Sequence, residues 1–299
     1  SLFHYREDFI STLQEERRHP QLPNLKLSDK IDINSDFKSK GDLYILAVPV
    51  QYMRKTLTEF SFLDNSPILT LSKGIEKDSL MFPLEIIKDT LKEQDRLTAV
   101  LSGPSHAEQV VEKIPTSVVV SSENSDILSP LRSLFSDKYF RVYSNNDIAG
   151  VQLGGAVKNV IAIAAGIVFG LSLKENTVSA LLTRGLYEIK LLGEKLGAKK
   201  ETLNGLAGLG DLMATSFSTH SRNRYVGVKI AEGENISNIV KSIEANAEGV
   251  ETAKSLYNLG KSLDVDLPIC NKVYKILYLN EDPLESINSL MNRELRDEF

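Results

Sequence analysis

The chain has 299 residues, 42% of them hydrophobic and 25% charged, which is enough for two folded units with separate cores. A formal net charge of -5 without a long basic block argues against nucleic acid as a partner. The single cysteine, Cys270, excludes an intramolecular disulfide, and His4, His19, His106 and His220 are too scattered to suggest a zinc site.

The opening residues Ser1–Asp8 lack the basic-then-apolar pattern of a leader, so a cytoplasmic protein is expected. Leu2-Phe3 reads as the stub of a strand. The following His4-Tyr5-Arg6 is either an ordinary charged turn or the place of an adenosine ribose and its phosphate. Asp42–Val48 predicts a strand stopped by Pro49, with a helix running on towards Phe60. Further strands are expected over Ser66–Leu71, Leu97–Leu101, Thr116–Val120 and Tyr139–Tyr143. Helices fall over Leu80–Leu91 and Ser125–Phe135, and a short one beyond Ser102-Gly103-Pro104. The strands are continuously hydrophobic rather than alternating, which predicts a sheet covered on both faces by helices. Such sheets receive ligands beyond the carboxyl ends of their strands.

From Asp147 the pattern becomes helical, over Ile148–Phe169, Thr177–Leu196, Ser221–Glu232, Ile236–Ala245, Val250–Leu259 and Leu267–Leu279. Breaks are expected at Gly197, Gly205–Gly210, Gly233 and Asp264–Asp266, with Ser286–Phe299 closing the unit. The apolar stretch Ala156–Leu173 contains Lys158 and Asn159, and predicts a core helix rather than a membrane span. The expected fold class is α/β, with a Rossmann-like nucleotide-binding domain over 1–146 and a mainly α-helical domain over 147–299.

Lys158 is the most informative residue. An ammonium set among glycine, alanine, valine and isoleucine must be paired or have its charge used, unless its stem merely snorkels out of a core helix. Asp211, after Gly205, Gly208 and Gly210, can orient such a lysine and set its proton affinity, or can simply cap a helix start. Ser72-Lys73-Gly74 follows a strand and is either an anion-binding turn or a surface turn. Gly103-Pro104-Ser105-His106-Ala107 has the same placement. It offers close backbone approach and free amides to an anionic or carbonyl-bearing ligand, or serves helix-start geometry alone. Arg222 and Asn223, behind Ser221, suit phosphate oxygens through a guanidinium fork and an amide.

Taken together, Ser72-Lys-Gly-Ile-Glu76, Leu101-Ser-Gly-Pro-Ser-His-Ala-Glu108, Gly155-Ala-Val-Lys-Asn-Val-Ile-Ala162, Leu206-Ala-Gly-Leu-Gly-Asp-Leu212, Ser221-Arg-Asn-Arg224 and Ala247-Glu-Gly249 resemble one family in order and spacing. That family is the bacterial-type NAD(P)-dependent sn-glycerol-3-phosphate dehydrogenases, which interconvert dihydroxyacetone phosphate and sn-glycerol 3-phosphate. The resemblance implies that Lys158 is the catalytic lysine at the substrate C2 oxygen. Lys73 would contact substrate and nicotinamide, and Asp211 would be the carboxylate beside the catalytic lysine. It also implies substrate contacts at Gly103, Ser105, Ser221, Arg222 and Asn223, and cofactor contacts at Tyr5, Arg6, Lys73, Ala107, Arg222 and Glu248. NADP or NAD would serve as cofactor, with no metal. A homodimer formed through the helical domain, and a role in supplying glycerol phosphate for phospholipid synthesis, are further implications.

The family pattern begins with a strand and a Gly-x-Gly-x-x-Gly turn. Neither precedes Asp42 here, so about 30 residues of family sequence are expected ahead of Ser1. Two other readings fit the residues: a related dehydrogenase acting on another hydroxy acid or a sugar phosphate, and a non-catalytic nucleotide or metabolite sensor.

Overall fold

The computed structural model describes residues 1–35, 38–62, 64–93, 95–243, 247–295 and 297–298. The central sheet has five strands in the spatial order Phe140–Asn145, Thr116–Ser122, Thr98–Ser102, Ile68–Thr70 and Tyr44–Leu46. All neighbours run parallel except Thr98–Ser102 and Thr116–Ser122, which pair antiparallel with Val119 opposite Ser102.

The continuous hydrophobicity of these strands follows from burial on both faces. Ile68, Val100 and Val119 pack with Val50, Met53 and Leu57 of the helix Val50–Glu59 and with Leu84, Ile86 and Ile87 of Pro83–Leu91. Leu69, Ala99, Val118 and Val120 pack on the other side with Leu128 and Leu131 of Leu128–Phe135. Successive strand residues point to opposite faces, so each face needs its own apolar set.

The front of the chain forms a smaller unit. Leu2–Phe3 does pair as a strand, parallel to Ile33–Asn34, and a helix over Glu7–Glu16 packs Ile10 and Leu13 against Ile33.

After Asn145 the chain is helical. The central element is Ile148–Gly170, N-capped by the Asp147 carboxylate, which accepts from the Gly150 amide at 2.9 Å. It is long and apolar enough to cross a bilayer, but here it is the buried core of the helical region. Around it lie Glu175–Lys195, Asp211–Phe217, Arg222–Ala231, Glu248–Ser262 and Pro268–Leu279.

Two expectations need correction. Gly205–Gly210 is not a plain break: Leu206–Gly210 forms a wide π-type turn, with the Gly210 amide bonded to the Gly205 carbonyl at 3.0 Å. Glycine is required there because a Cβ on Gly208 would sit 2.0 Å from the Leu203 carbonyl oxygen. The helix from Ile236 ends at Ser242, with Ile243 extended beyond it, and positions 244 and 245 of the expected run lie outside the described residues. The region closes with the helix Pro283–Met291, which Asp282 caps by accepting from the Glu285 amide at 2.8 Å.

The helices Ile148–Gly170 and Arg222–Ala231 pack backbone against backbone. A Cβ on Gly227 would lie 2.0 Å from the Ile163 carbonyl, and one on Gly166 would lie 2.1 Å from the Arg224 carbonyl. Backbone cannot yield as a side chain does. Gly227→Ala is therefore expected to destabilise the protein by about 1–3 kcal/mol or more, measured by denaturant unfolding. A loss under about 0.5 kcal/mol would show that the helices separate freely.

Candidate active site

Lys73 and Gly103 follow the adjacent parallel strands Ile68–Thr70 and Thr98–Ser102, so they meet beyond the same carboxyl end of the sheet. Gly74 has φ 149° and Gly103 has φ 129°, conformations that L side chains rarely adopt. A Cβ at Gly103 would also press to 3.0 Å from the Val118 Cα.

Opposite this edge, the helix Ile148–Gly170 presents Lys158, and the helix that follows the wide turn presents Asp211. Both residues are buried, with 7% and 2% of their surface exposed. The Lys158 ammonium donates to Asp211 Oδ1 and to Thr215 Oγ1, the latter at 2.8 Å. The Thr215 hydroxyl lies one helical turn beyond Asp211 and donates back to its Oδ1 at 3.3 Å. Lys73 reaches across from the sheet and donates to Asp211 Oδ2 at 2.6 Å and to the Gly103 carbonyl at 3.1 Å. Its stem passes over Gly155, where a Cβ would sit 3.4 Å from Lys73 Cγ and Cδ. These bonds decide the alternatives left open by the sequence: Lys158 does not snorkel, and the Asp211 carboxylate faces two lysines instead of capping its helix.

The electrostatics follow from that sharing. Burial pushes the Lys158 ammonium down to about 8; Asp211 opposes the fall and the Lys73 charge adds to it. Burial alone would raise the Asp211 carboxyl, but Lys158 and Lys73 override it and hold the group below the usual carboxylate range. One carboxylate serves two ammonium groups, so when all three are ionised the cluster keeps an unneutralised positive charge suited to an anion.

The remaining expected residues fall into three groups. Ser105 is half-buried and donates to the same Gly103 carbonyl at 3.2 Å, while exposed Ala107 opens the short helix Ala107–Val111. Ser221 is buried and caps Arg222–Ala231 by accepting from the Arg224 amide at 3.2 Å. Arg222 stands exposed at the first helical position. Asn223 donates to Asn159 Oδ1 and accepts from the Gly249 amide, both at 3.0 Å, which leaves its second amide hydrogen for a ligand. Glu248 begins the helix Glu248–Ser262. Burial pushes its carboxyl up to about 7 against the opposing Arg222 charge and the Val50 amide. Tyr5 and Arg6 lie in the small front unit, where Tyr5 stacks on His4 and Arg6 pairs with Asp8 on the surface.

Two residues at this site carry no sequence expectation. Thr215 had a legible signal, since it stands one helical turn from Asp211 and so shares its face. Asn159 adjoins Lys158, but its partner Asn223 is 64 positions away and no spacing points to it.

A nicotinamide nucleotide fits the crevice. The hydroxyl of buried Ser102, at the carboxyl end of its strand, has no hydrogen-bond partner among the described residues and is a polar group such a ligand can meet. Fold and cluster together define a nucleotide-dependent dehydrogenase, with a Rossmann-like sheet region before a mostly helical one. Residues 1–128 match the model of the NAD-dependent glycerol-3-phosphate dehydrogenase N-terminus, and residues 147–288 match that of its C-terminus. The chain is 40% identical to the glycerol-3-phosphate dehydrogenase [NAD(P)+] of Staphylococcus haemolyticus, over 98% of this chain and 90% of the relative. It is 41% identical to that of Carboxydothermus hydrogenoformans, over 97% and 88%. The crystal structure of the Coxiella burnetii glycerol-3-phosphate dehydrogenase superposes with a TM-score of 0.92 at 33% identity, covering 98% of this chain and 91% of that one. The chain belongs to the NAD-dependent glycerol-3-phosphate dehydrogenase family.

Replacing Asp211 by Asn removes the charge that sustains Lys158 as an ammonium. In Asp211→Asn, Lys158 is expected to titrate below about 8, followed through the NMR shift of its ε-carbon. A midpoint unchanged or raised would contradict the pairing.

Proposed function

We propose that this protein is a glycerol-3-phosphate dehydrogenase that interconverts dihydroxyacetone phosphate and sn-glycerol 3-phosphate with NADPH or NADH. The observation that carries the reading is the Lys73–Asp211–Lys158 bridge between the two halves of the chain. Family membership supplies the substrate and cofactor classes.

When bound, the nicotinamide supplies the hydride that C2 of the ketone receives. Negative charge then grows on the C2 oxygen, and Lys158 stabilises it and delivers the proton. Lys73 holds a second positive charge at the same place, while Asp211 keeps both lysines oriented. Arg222 and the spare amide hydrogen of Asn223 grip the substrate phosphate, turning remote binding energy into alignment of C2. Gly103, Ser105 and Ser221 shape the substrate side through backbone and cap geometry. Glu248 and Ala107 are assigned to the cofactor, with Tyr5 and Arg6 assigned to its adenosine end. The domain boundary is placed between 146 and 147. Service to phospholipid synthesis in the cytoplasm, and a homodimer paired through the helical region, complete the proposal.

The direct test is NAD(P)H absorbance with and without dihydroxyacetone phosphate, using full-length protein of verified mass. Consumption that depends on the substrate supports the reading; none from folded protein overturns it. Lys158→Ala should lower kcat by about 10²–10⁴ while KM changes little. Near-normal turnover would remove Lys158 from the chemistry.

The pH dependence has a definite sign. Ketone reduction needs the ammonium form of Lys158, so its rate should fall as pH rises through about 8, and alcohol oxidation, which needs the neutral amine, should rise over the same interval. Parallel pH profiles in the two directions would contradict this.

A further inference from the structure

Lys73 leaves from the sheet, yet its loop is held by the helical region. The residue two positions on, Ile75, is fully buried and packs within the apolar core of the helices. Its carbonyl accepts two hydrogen bonds, from Gln51 Nε2 at 2.9 Å and from Ser255 Oγ at 3.0 Å. Gln51 belongs to the helix beside the sheet, whereas Ser255 is fully buried on Glu248–Ser262, 180 positions along the chain from Ile75.

Between Lys73 and Ile75 stands Gly74 at φ 149°, a position with no side chain to lock it. A Cβ there would meet Val50 Cγ1 at 2.8 Å and the hydroxyl of Thr252, on the same helix as Ser255, at 3.2 Å. Upstream, the Ser72 hydroxyl donates to the Val48 carbonyl. The loop is therefore pinned to the sheet before Lys73 and to the helical region after it. A serine inside a helix can instead bond the carbonyl one turn back; here the Glu251 carbonyl is farther away, at 3.4 Å, than the Ile75 carbonyl.

We infer that Ser255 is a positioning residue for the reaction: by holding the Ile75 carbonyl, its hydroxyl fixes the loop that aims Lys73 at Asp211. The inference rests on the proposed role of Lys73 in turnover. Ser255 touches neither substrate nor cofactor and acts only through the loop. The same helix starts at Glu248, so one element carries both a proposed cofactor contact and the hold on the Lys73 loop.

The test is a double-mutant cycle on the intact protein, with Ser255→Ala made in the wild type and in Lys73→Met. Ser255→Ala leaves Gln51 on the Ile75 carbonyl, so the fold should persist. In the wild type it should lower kcat on the order of three- to tenfold, the scale of one lost hydrogen bond, with KM for dihydroxyacetone phosphate within about twofold. In Lys73→Met it should have no further effect on kcat. The alkaline limb of the reduction profile should also move upward, because a Lys73 withdrawn from Asp211 no longer lowers Lys158 by like charge. Gln51→Leu, which removes the other donor to Ile75, should act in the same direction. An equal loss of kcat in both backgrounds, or no loss in the wild type, overturns the inference and leaves Ser255 a packing residue. If Lys73→Met alone turns over normally, the role of Lys73 fails, and the inference fails with it.

Discussion

A carboxylate buried between two ammonium groups constrains everything around it. Asp211 is removed from water and is held ionised by its two lysines, while the lysines would repel each other without it. Breaking such a pair costs about 3–5 kcal/mol, so the elements that deliver the three groups must hold their places. Lys73 comes from the sheet edge, Lys158 from the central helix and Asp211 from the helix after the π-type turn. The bridge thus fastens the sheet edge to the helical region.

Glycine is the means by which these elements come close enough. Gly155 lets the Lys73 stem cross the central helix, Gly154 brings that helix against Ala207, and Gly208 lets the wide turn fold back on Leu203. The same helix is apolar along nearly its whole buried length, so its lysine cannot relax towards solvent. A depressed ammonium is the consequence. It is strong enough as an acid to give up a proton near neutral pH, and still mostly charged at that pH.

The fold also explains why several expected ligand residues have structural duties. The Ser221 hydroxyl is spent on a helix cap, and Asn223 joins Asn159 to the start of the Glu248 helix. A residue that braces its neighbours can still present a remaining donor to a phosphate. Positioning and binding are then carried by one side chain, which is economical where helices converge on a small crevice.

The sequence by itself did not reveal the helices Glu7–Glu16 and Asp211–Phe217. It determined the two-region layout, the central-sheet strands and most of the long helices within a few residues, and the candidates Lys73, Lys158 and Asp211. Each of these is a local signal: an apolar run, a helical period, or a charge set among apolar neighbours. Tertiary structure alone decided that Asp211 serves both lysines, that Asn159 meets Asn223, and that Ser255 reaches Ile75. The reason is distance along the chain. Lys73 and Asp211 are separated by 138 positions, and no periodicity or spacing encodes a contact that exists only after the sheet and the helices have packed.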